Sequence, residues 1–262
     1  MRVGWVVGIA GRTLVVLTLA GCATLSSDGG GAYLAKGAYD ARKVLPPPPA
    51  PGSVEAEQDR ATFLATRKFK DSPRWSLARQ DAAETKVVQA FSCALGVTPT
   101  RQTTPRLAAM LQRASRDVRT AVAGPKRLYD RKRPYQTEPG PICVRSGMIT
   151  AMTPDYPSGH ATWGWTVGLI LAKAQPQRSE AILARARAYG ESRVVCGVHN
   201  ASSVEAGRVN AAALFDALQA SPTFEADLTA VGRELDAARA AGPAPDPAHC
   251  AAEAALIAQP LS

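Results

Sequence analysis

Apolar residues recur at helical spacing along most of the chain between residues 54 and 241. Intervals of three and four residues separate them, as expected for helices that bury one face. Proline or glycine stands at most boundaries of these segments, where such helices are expected to begin or end. The pattern predicts helices over Val54–Arg67, Ser76–Leu95, Thr104–Ala123, His160–Ala174, Ser179–Tyr189, Val204–Ala220 and Phe224–Ala241.

No alternating apolar run of useful length indicates a strand, and no repeat of fixed period is present. Aromatic residues make up only 6% of the chain, and much of the apolar fraction is alanine. We therefore predict an all-α fold, a single helical bundle over residues 55–242, which is long enough to bury a core of its own. A connection rich in proline and glycine, Tyr135–Tyr156, leads into the second part of this bundle.

The amino terminus predicts export. Arg2 and Arg12 precede a short apolar run, Leu14–Ala20, which is too brief to span a bilayer, so residues 1–21 are expected to be a cleaved signal peptide. The run ends in Leu19-Ala20-Gly21-Cys22, the pattern of cleavage before a cysteine that is then lipidated. Cys22 is the predicted lipidation site of a periplasmic protein anchored to the membrane; the alternative is an ordinary secretory signal that leaves Cys22 as a plain thiol.

Segments of biased composition flank the predicted bundle. Residues 22–54 begin rich in glycine and serine and continue into Leu45-Pro46-Pro47-Pro48-Pro49, which favours an extended polyproline conformation and a semi-rigid spacer. Residues 243–262 form a tail rich in proline and alanine. The formal net charge is +9, but the basic residues are scattered among acidic ones, without a lysine-rich tract or an aromatic stacking motif, so nucleic acid is not an expected partner.

Three short clusters collect side chains suited to phosphoryl transfer: Lys126–Pro134 (KRLYDRKRP), Pro157–His160 (PSGH) and Ser192–His199 (SRVVCGVH). A phosphoryl group in transfer spreads negative charge over its oxygens, so a catalyst needs fixed cations and backbone donors around it. A predicted helix starts at the second cluster, where backbone N–H groups are free to bind an anion. The candidate phosphate ligands are Lys126, Arg133, Ser158, Gly159 and Arg193.

Two of the three histidines, His160 and His199, lie in these clusters, whereas His249 lies in the tail. One neutral imidazole can attack phosphorus while the other, protonated, gives a proton to the departing oxygen. This chemistry needs no metal, and the sequence offers no plausible set of metal ligands. We therefore predict no metal and no cofactor.

Four cysteines besides Cys22 suggest disulfides in an oxidising compartment: Cys93, Cys143, Cys196 and Cys250. Three pairings are open. We favour Cys143 with Cys196, because both flank the clusters, and Cys93 with Cys250, which would pin the tail; the alternative is four reduced, buried thiols.

Together the motifs Lys126-x(6)-Arg133-Pro134, Pro157-Ser158-Gly159-His160 and Ser192-Arg193-x(5)-His199 resemble the signature of the type 2 phosphatidic acid phosphatase superfamily. Over roughly residues 40 to 240 the chain resembles the exported branch of this superfamily, the class A bacterial acid phosphatases. The proline run recurs in that branch, so the resemblance implies packing on the domain as the alternative to a pure spacer. The resemblance implies small phosphate monoesters as substrates. It also implies that His199 is a nucleophile forming a phosphohistidine, that His160 is the general acid, and that the five candidate ligands bind phosphate.

The sequence departs from this family at one position. An Asp is expected four residues after the nucleophilic His, where it fixes the imidazole ring, but Ser203 stands there. Loss of an orienting carboxylate can cost several orders of magnitude in rate. Ser203 itself and Glu205 are candidates to replace it behind His199, although Glu205 also fits a capping box with Ser202 at the N-cap.

The leading hypothesis is thus an exported, metal-independent acid phosphatase. A catalytically impaired phosphate-binding lipoprotein is the alternative that Ser203 suggests, and a vanadate-dependent haloperoxidase is a third. If the missing Asp limits turnover, replacing Ser203 with Asp is expected to raise it.

Overall fold

The computed structural model describes residues 1–4, 31–144 and 153–261. The chain divides into two units, Met1–Gly30 and Gly31–Ser262, and the second holds every helix named below. Most of the predicted signal peptide and the predicted lipidation site Cys22 lie outside the described residues.

The described residues form helices and no strand, which confirms the all-α prediction. Short 3₁₀ turns, including Glu84–Lys86, connect several of the helices. The helices are α1 (Val54–Thr66), α2 (Pro73–Asp81), α3 (Val87–Ala90), α4 (Ser92–Leu95), α5 (Pro105–Tyr129), α6 (Gly159–Ala174), α7 (Ser179–Val195), α8 (Ala201–Gln219), α9 (Pro222–Ala241) and α10 (Pro247–Ile257).

Helix α6 lies at the centre of the bundle and packs against α5, α7, α8 and α9. Its side chains Val167, Ile170 and Leu171 are fully buried in the main core. Burial of each such aliphatic side chain contributes about 1.5–3 kcal/mol, so this helix is a principal source of stability. The polar end of α6, which begins at Gly159, is also held inside the bundle.

The predicted helix Ser76–Leu95 is wrong as a single element, because it is broken into α2, the 3₁₀ turn, α3 and α4. Asp81 ends α2 in a buried ion pair with Arg185 of α7, 2.5 Å away, and Glu84 in the turn reaches His160. These contacts are made by residues distant in sequence, and they outweigh the helical spacing.

Helices α5 and α7 extend about one and a half turns beyond their predicted ends. Helix α5 continues through Gly124 and Pro125 to Tyr129, and α7 continues to Val195. As a result, Lys126 and Arg193 stand on rigid helices rather than on loops.

The segment before α1 packs on the bundle rather than acting as a free spacer. The backbone N–H of Tyr33 donates to Asp117 of α5, and Leu45 is buried. In the polyproline run, the carbonyl of Pro46 accepts a hydrogen bond from the hydroxyl of Tyr156. These contacts hold residues 33–46 against the domain.

Both favoured disulfides are confirmed: Cys143–Cys196 and Cys93–Cys250. The second ties α4 to α10, a helix that the sequence did not predict in the tail. None of the helices in the described ranges has the length and apolar character to cross a membrane.

Candidate active site

The three clusters meet where α5 ends, α6 begins and α7 ends. A Cβ atom added to Gly159, the first residue of α6, would lie 3.9 Å from Cε of Lys126. Arg133 reaches His199. Burial and then the charge of Arg133 lower the pKa of Arg193, and burial and then the charge of Arg193 lower the pKa of His160. The structure thus brings together all the residues that the sequence assigned to phosphate binding and catalysis.

His199 is buried and held at both ring nitrogens. Its Nδ1 lies 2.7 Å from Oδ1 of Asp155, and its Nε2 lies 3.1 Å from Nη1 of Arg133. A guanidinium can only donate, so Nε2 is the acceptor and Nδ1 carries the proton. Burial, reinforced by the charge of Arg133, holds the pKa of His199 well below its usual value. The imidazole is therefore neutral, with its lone pair on Nε2, which is the form needed for attack.

Asp155 supplies the carboxylate that the sequence seemed to lack. It is fully buried and accepts hydrogen bonds from His199, from the backbone and side-chain nitrogens of Asn200, and from the hydroxyl of Ser203. Burial alone would raise its pKa, but the hydrogen bond and charge of His199 and the bonds from Ser203 and Asn200 bring the pKa below its ordinary value. Asp155 remains ionised and orients the ring.

Sequence reasoning missed Asp155 because the family pattern directs attention to the position after His199. The available signal was an acidic residue two positions before Pro157, in a chain where the expected carboxylate was absent. The Tyr156–Pro157 peptide bond, which follows Asp155 directly, is cis.

The two candidates proposed to replace the missing Asp need correction. Ser203 is buried and donates to Asp155, so it supports the carboxylate instead of replacing it. Glu205 lies on the surface, paired with Arg208, because its position on α8 turns it away from His199. The predicted capping box is also wrong: α8 starts at Ala201 with Asn200 as the N-cap, and the backbone N–H of Ser202 donates to Asp59 of α1.

Ser158 is the N-cap of α6. Its Oγ accepts from the backbone N–H of Ala161, and its own backbone N–H donates to the carbonyl of Ser203. That N–H is therefore not free for phosphate, contrary to the prediction. The Ser158 hydroxyl still has a proton to donate.

His160, in the first turn of α6, is held by two contacts. Its ring stacks on Tyr189 with centroids 4.3 Å apart, and its Nδ1 lies 3.3 Å from Oε1 of Glu84. Burial and the nearby charge of Arg193 lower its pKa to about 4, against an opposing effect of Glu84. The histidines therefore differ in partner: His199 has the buried Asp155, and His160 has the more exposed Glu84.

Buried polar atoms without partners mark the place of an anion. Within the described part of the chain, Nε and Nη1 of Arg193 and Nε2 of His160 are buried and make no hydrogen bond. Such atoms are rare because burying an unpaired donor costs about 1–3 kcal/mol. An oxyanion with several acceptor oxygens would satisfy the two donors of Arg193 directly, and it would satisfy Nε2 of His160 when that ring is protonated.

The other two cations have backbone partners around the same place. Lys126 donates to the carbonyl of Pro154, and burial, with the charge of Arg133, lowers its pKa to about 8. Arg133 donates to the backbone carbonyls of Thr153 and Val198 at 2.9 and 2.7 Å. Arg133 thus joins the segment before α6 to the loop that carries His199. No group of three or more potential metal ligands occurs among the residues that the structure describes.

Comparison with known proteins agrees with this geometry. The model of the PAP2 superfamily matches residues 108–220, which include all three clusters. An acid phosphatase of Zymomonas mobilis is 38% identical over 214 residues, covering 80% of each chain. The non-specific acid phosphatase of Salmonella typhimurium is 33% identical over 73% of this chain and 78% of its own, and that of Providencia stuartii is 32% identical over 73% and 79%. The chain therefore belongs to the PAP2 superfamily, among its bacterial acid phosphatases.

Proposed function

We propose that this phosphatase hydrolyses small organic phosphate monoesters without a metal, through a phosphohistidine on Nε2 of His199. The observation that carries the proposal is the buried Asp155–His199 pair, with Arg133 fixing the tautomer. The ring nitrogen that would attack phosphorus is thereby aimed and unprotonated.

In the first step, the lone pair of His199 Nε2 forms a bond to phosphorus while the ester P–O bond breaks. The negative charge of the bound phosphoryl group offsets that of Arg193 and so favours the protonated form of His160. His160 then gives the proton on its Nε2 to the departing oxygen, and the alcohol leaves. Nδ1 of His199 keeps its proton and donates a hydrogen bond to Asp155, which stabilises the positive charge that develops on the ring. Arg193 and Lys126 face the negative charge on the phosphoryl oxygens.

In the second step, water attacks the phosphohistidine and the N–P bond breaks, so that the electron pair returns to His199. His160, now neutral, accepts a proton from the attacking water and is restored for the next cycle. Phosphate then leaves. The two steps use the same residues in reverse roles.

The Asp155–His199 pair favours turnover over the alternative of an impaired phosphate-binding protein. That alternative depended on the absence of a carboxylate behind His199. Asp155 fills this role with a hydrogen bond of 2.7 Å in a fully buried position. Metal independence is supported by Lys126, Arg133 and Arg193, which provide three positive charges where a metal would otherwise neutralise the phosphoryl group.

The test combines turnover with detection of the intermediate. The purified protein should release phosphate from 4-nitrophenyl phosphate in the presence of chelator, and vanadate should block release. Acid-labile label from a ³²P-substrate should appear in the wild type and be absent in His199→Ala. Glu205→Gln, on the surface and outside the site, is the matched control and should behave as wild type. Retained turnover in His199→Ala, or loss of activity with chelator, would contradict the mechanism.

We also propose that the protein is exported and held at the membrane by a lipid on Cys22. Support comes from the apolar run ending in Leu19-Ala20-Gly21-Cys22 and from the two disulfides, which persist in oxidising compartments. Wild-type protein should label with radioactive palmitate and sediment with membranes, whereas Cys22→Ser should do neither. Wild-type protein that takes up no palmitate label would contradict the lipid anchor on Cys22.

A further inference from the structure

The site contains a second pair of carboxylate and imidazole, Glu84 and His160. Oε1 of Glu84 lies 3.3 Å from Nδ1 of His160. Glu84 stands in the 3₁₀ turn Glu84–Lys86, where the predicted helix Ser76–Leu95 is interrupted. The break in the helix is what brings this carboxylate to the first turn of α6.

The surroundings of His160 give its two nitrogens separate tasks. One face of the ring is stacked on Tyr189, and the side chain is only 4% exposed, so the ring is held in one orientation. Nδ1 faces Glu84, whereas Nε2 is buried without a partner among the described residues. Nε2 is thus the nitrogen that remains available to a substrate.

Burial opposes the protonation of His160 and lowers its pKa, and the nearby charges act in both directions. Arg193 of α7 disfavours the imidazolium, while Glu84 and the more distant Asp81 of α2 favour it. The hydrogen bond to His160 lowers the pKa of Glu84, so Glu84 is a carboxylate over the range in which the acid must work. Removing its charge would leave His160 beside Arg193 in a buried site with only Asp81 in opposition.

We propose that Glu84 is the positioning residue of the general acid: it accepts the Nδ1 proton of His160, so that the second proton of the imidazolium stands on Nε2 and goes to the leaving group. This inference rests on the proposed phosphohistidine mechanism. It gives the site two such pairs with different tasks, one for the nucleophile and one for the acid.

The carboxylates of the two pairs differ in solvent exposure, so their contributions to activity should respond differently to salt. The side chain of Asp155 is 0% exposed, whereas that of Glu84 is 60% exposed. Salt screens exposed charges much more than buried ones. The contribution of Glu84 should therefore weaken as ionic strength rises, and that of Asp155 should not.

The role of Glu84 can be tested with two substrates whose leaving groups differ in their need for a proton from His160. Nitrophenolate departs readily without a proton, whereas an alkoxide needs one as it leaves. Glu84→Gln should therefore lower kcat/KM for an alkyl phosphate by about tenfold or more, because kcat/KM reports the first step, in which the acid acts on the leaving group. With 4-nitrophenyl phosphate, kcat/KM should change by less than about threefold, because the departing nitrophenolate needs little proton transfer. Glu84→Asp should recover part of the loss on the alkyl phosphate.

Glu205→Gln is the control, because its side chain is 54% exposed and ion-paired like that of Glu84 but lies outside the site. Circular dichroism and thermal unfolding establish that each variant is folded. Equal losses on the two substrates, or no loss on the alkyl phosphate, would overturn the role of Glu84. Trapping of ³²P-phosphohistidine from ³²P-labelled 4-nitrophenyl phosphate in Glu84→Gln tests the two proposals separately. Trapped label would show that His199 forms the intermediate, whatever the comparison of the two substrates shows about Glu84.

Discussion

At the scale of residues, the main result is that Asp155 supplies the carboxylate behind His199, whereas Ser203 stands at the position where the family pattern has that carboxylate. The Ser203 hydroxyl donates to Asp155, which in turn accepts from His199. The sequence singled out the five candidate ligands and both histidines because those motifs are contiguous, and the structure places these residues around one site. It did not single out Asp155, because that contact joins residues 44 positions apart and the family pattern directed attention to position 203.

The presence of Asp155 beside Ser203 reverses the expectation for Ser203→Asp. A second carboxylate would lie against a buried one, and like charges so close cannot both remain ionised. We expect Ser203→Asp to lower kcat about tenfold or more, and Asp155→Ser to lower it by up to about 10⁴-fold. The double variant Asp155→Ser/Ser203→Asp should have a kcat at least about tenfold higher than that of Asp155→Ser, because it restores one carboxylate and one hydroxyl beside His199.

Steady-state kcat on 4-nitrophenyl phosphate measures all three variants, with unfolding curves to confirm the fold. Higher turnover in Ser203→Asp would show that Asp155 does not orient His199. A double variant no better than Asp155→Ser would show that the two positions are not interchangeable.

At the scale of elements, the site depends on how closely α7 approaches α6. Tyr189 of α7 reaches His160 only because Gly164, one turn further along α6, has no side chain: an added Cβ would lie 2.2 Å from Cδ1 of Tyr189. The start and end of α6 were predicted to within one residue, because its apolar spacing is long and regular. The break between α2 and α3 was not predicted, since it depends on Asp81 and Glu84 meeting residues of other helices.

We therefore expect two glycine-to-alanine changes in helices to have opposite effects. Gly164→Ala should lower the free energy of unfolding by about 1–3 kcal/mol through overpacking, and it should lower kcat by displacing the ring that stacks on His160. Gly124→Ala in α5, where the nearest atom would be Cδ of Arg42 at 3.6 Å, should raise that free energy by up to about 1 kcal/mol through helix propensity.

Urea denaturation and kcat on one substrate measure both changes. If Gly164→Ala were as stable and active as wild type, the packing of Tyr189 would not control the position of His160. Destabilisation by Gly124→Ala would mean that α5 is strained near Pro125.

At the scale of the whole molecule, the two disulfides hold different parts of the domain. Cys143–Cys196 anchors the start of the loop that carries His199, because Cys196 lies three residues before it. The backbone N–H of Cys143 also donates to the carbonyl of Cys196. Cys93–Cys250 fastens α10, which also meets the bundle through the ion pair of Glu253 with Arg185. The pairings were open in the sequence, because sequence alone does not tell which cysteines lie together in space.

Removing each disulfide should therefore separate stability from activity. Cys93→Ser/Cys250→Ser should lower the free energy of unfolding by about 2–4 kcal/mol and leave kcat of the folded protein near wild type. Cys143→Ser/Cys196→Ser should lower kcat as well, because the loop before His199 loses its covalent support. Unfolding curves and kcat under conditions where both variants are folded measure the difference; equal effects on kcat would refute the distinction.

The position of Asp155 has a consequence for how relatives with a similar departure should be sorted. The orientation of an imidazole depends on how close a carboxylate lies in space, and not on where that carboxylate stands in the sequence. Chains that carry serine four residues after the histidine corresponding to His199 therefore fall into two groups. Those with an acidic residue two positions before the proline of Pro-Ser-Gly-His should be counted among working catalysts, and those without one are the true candidates for lost activity.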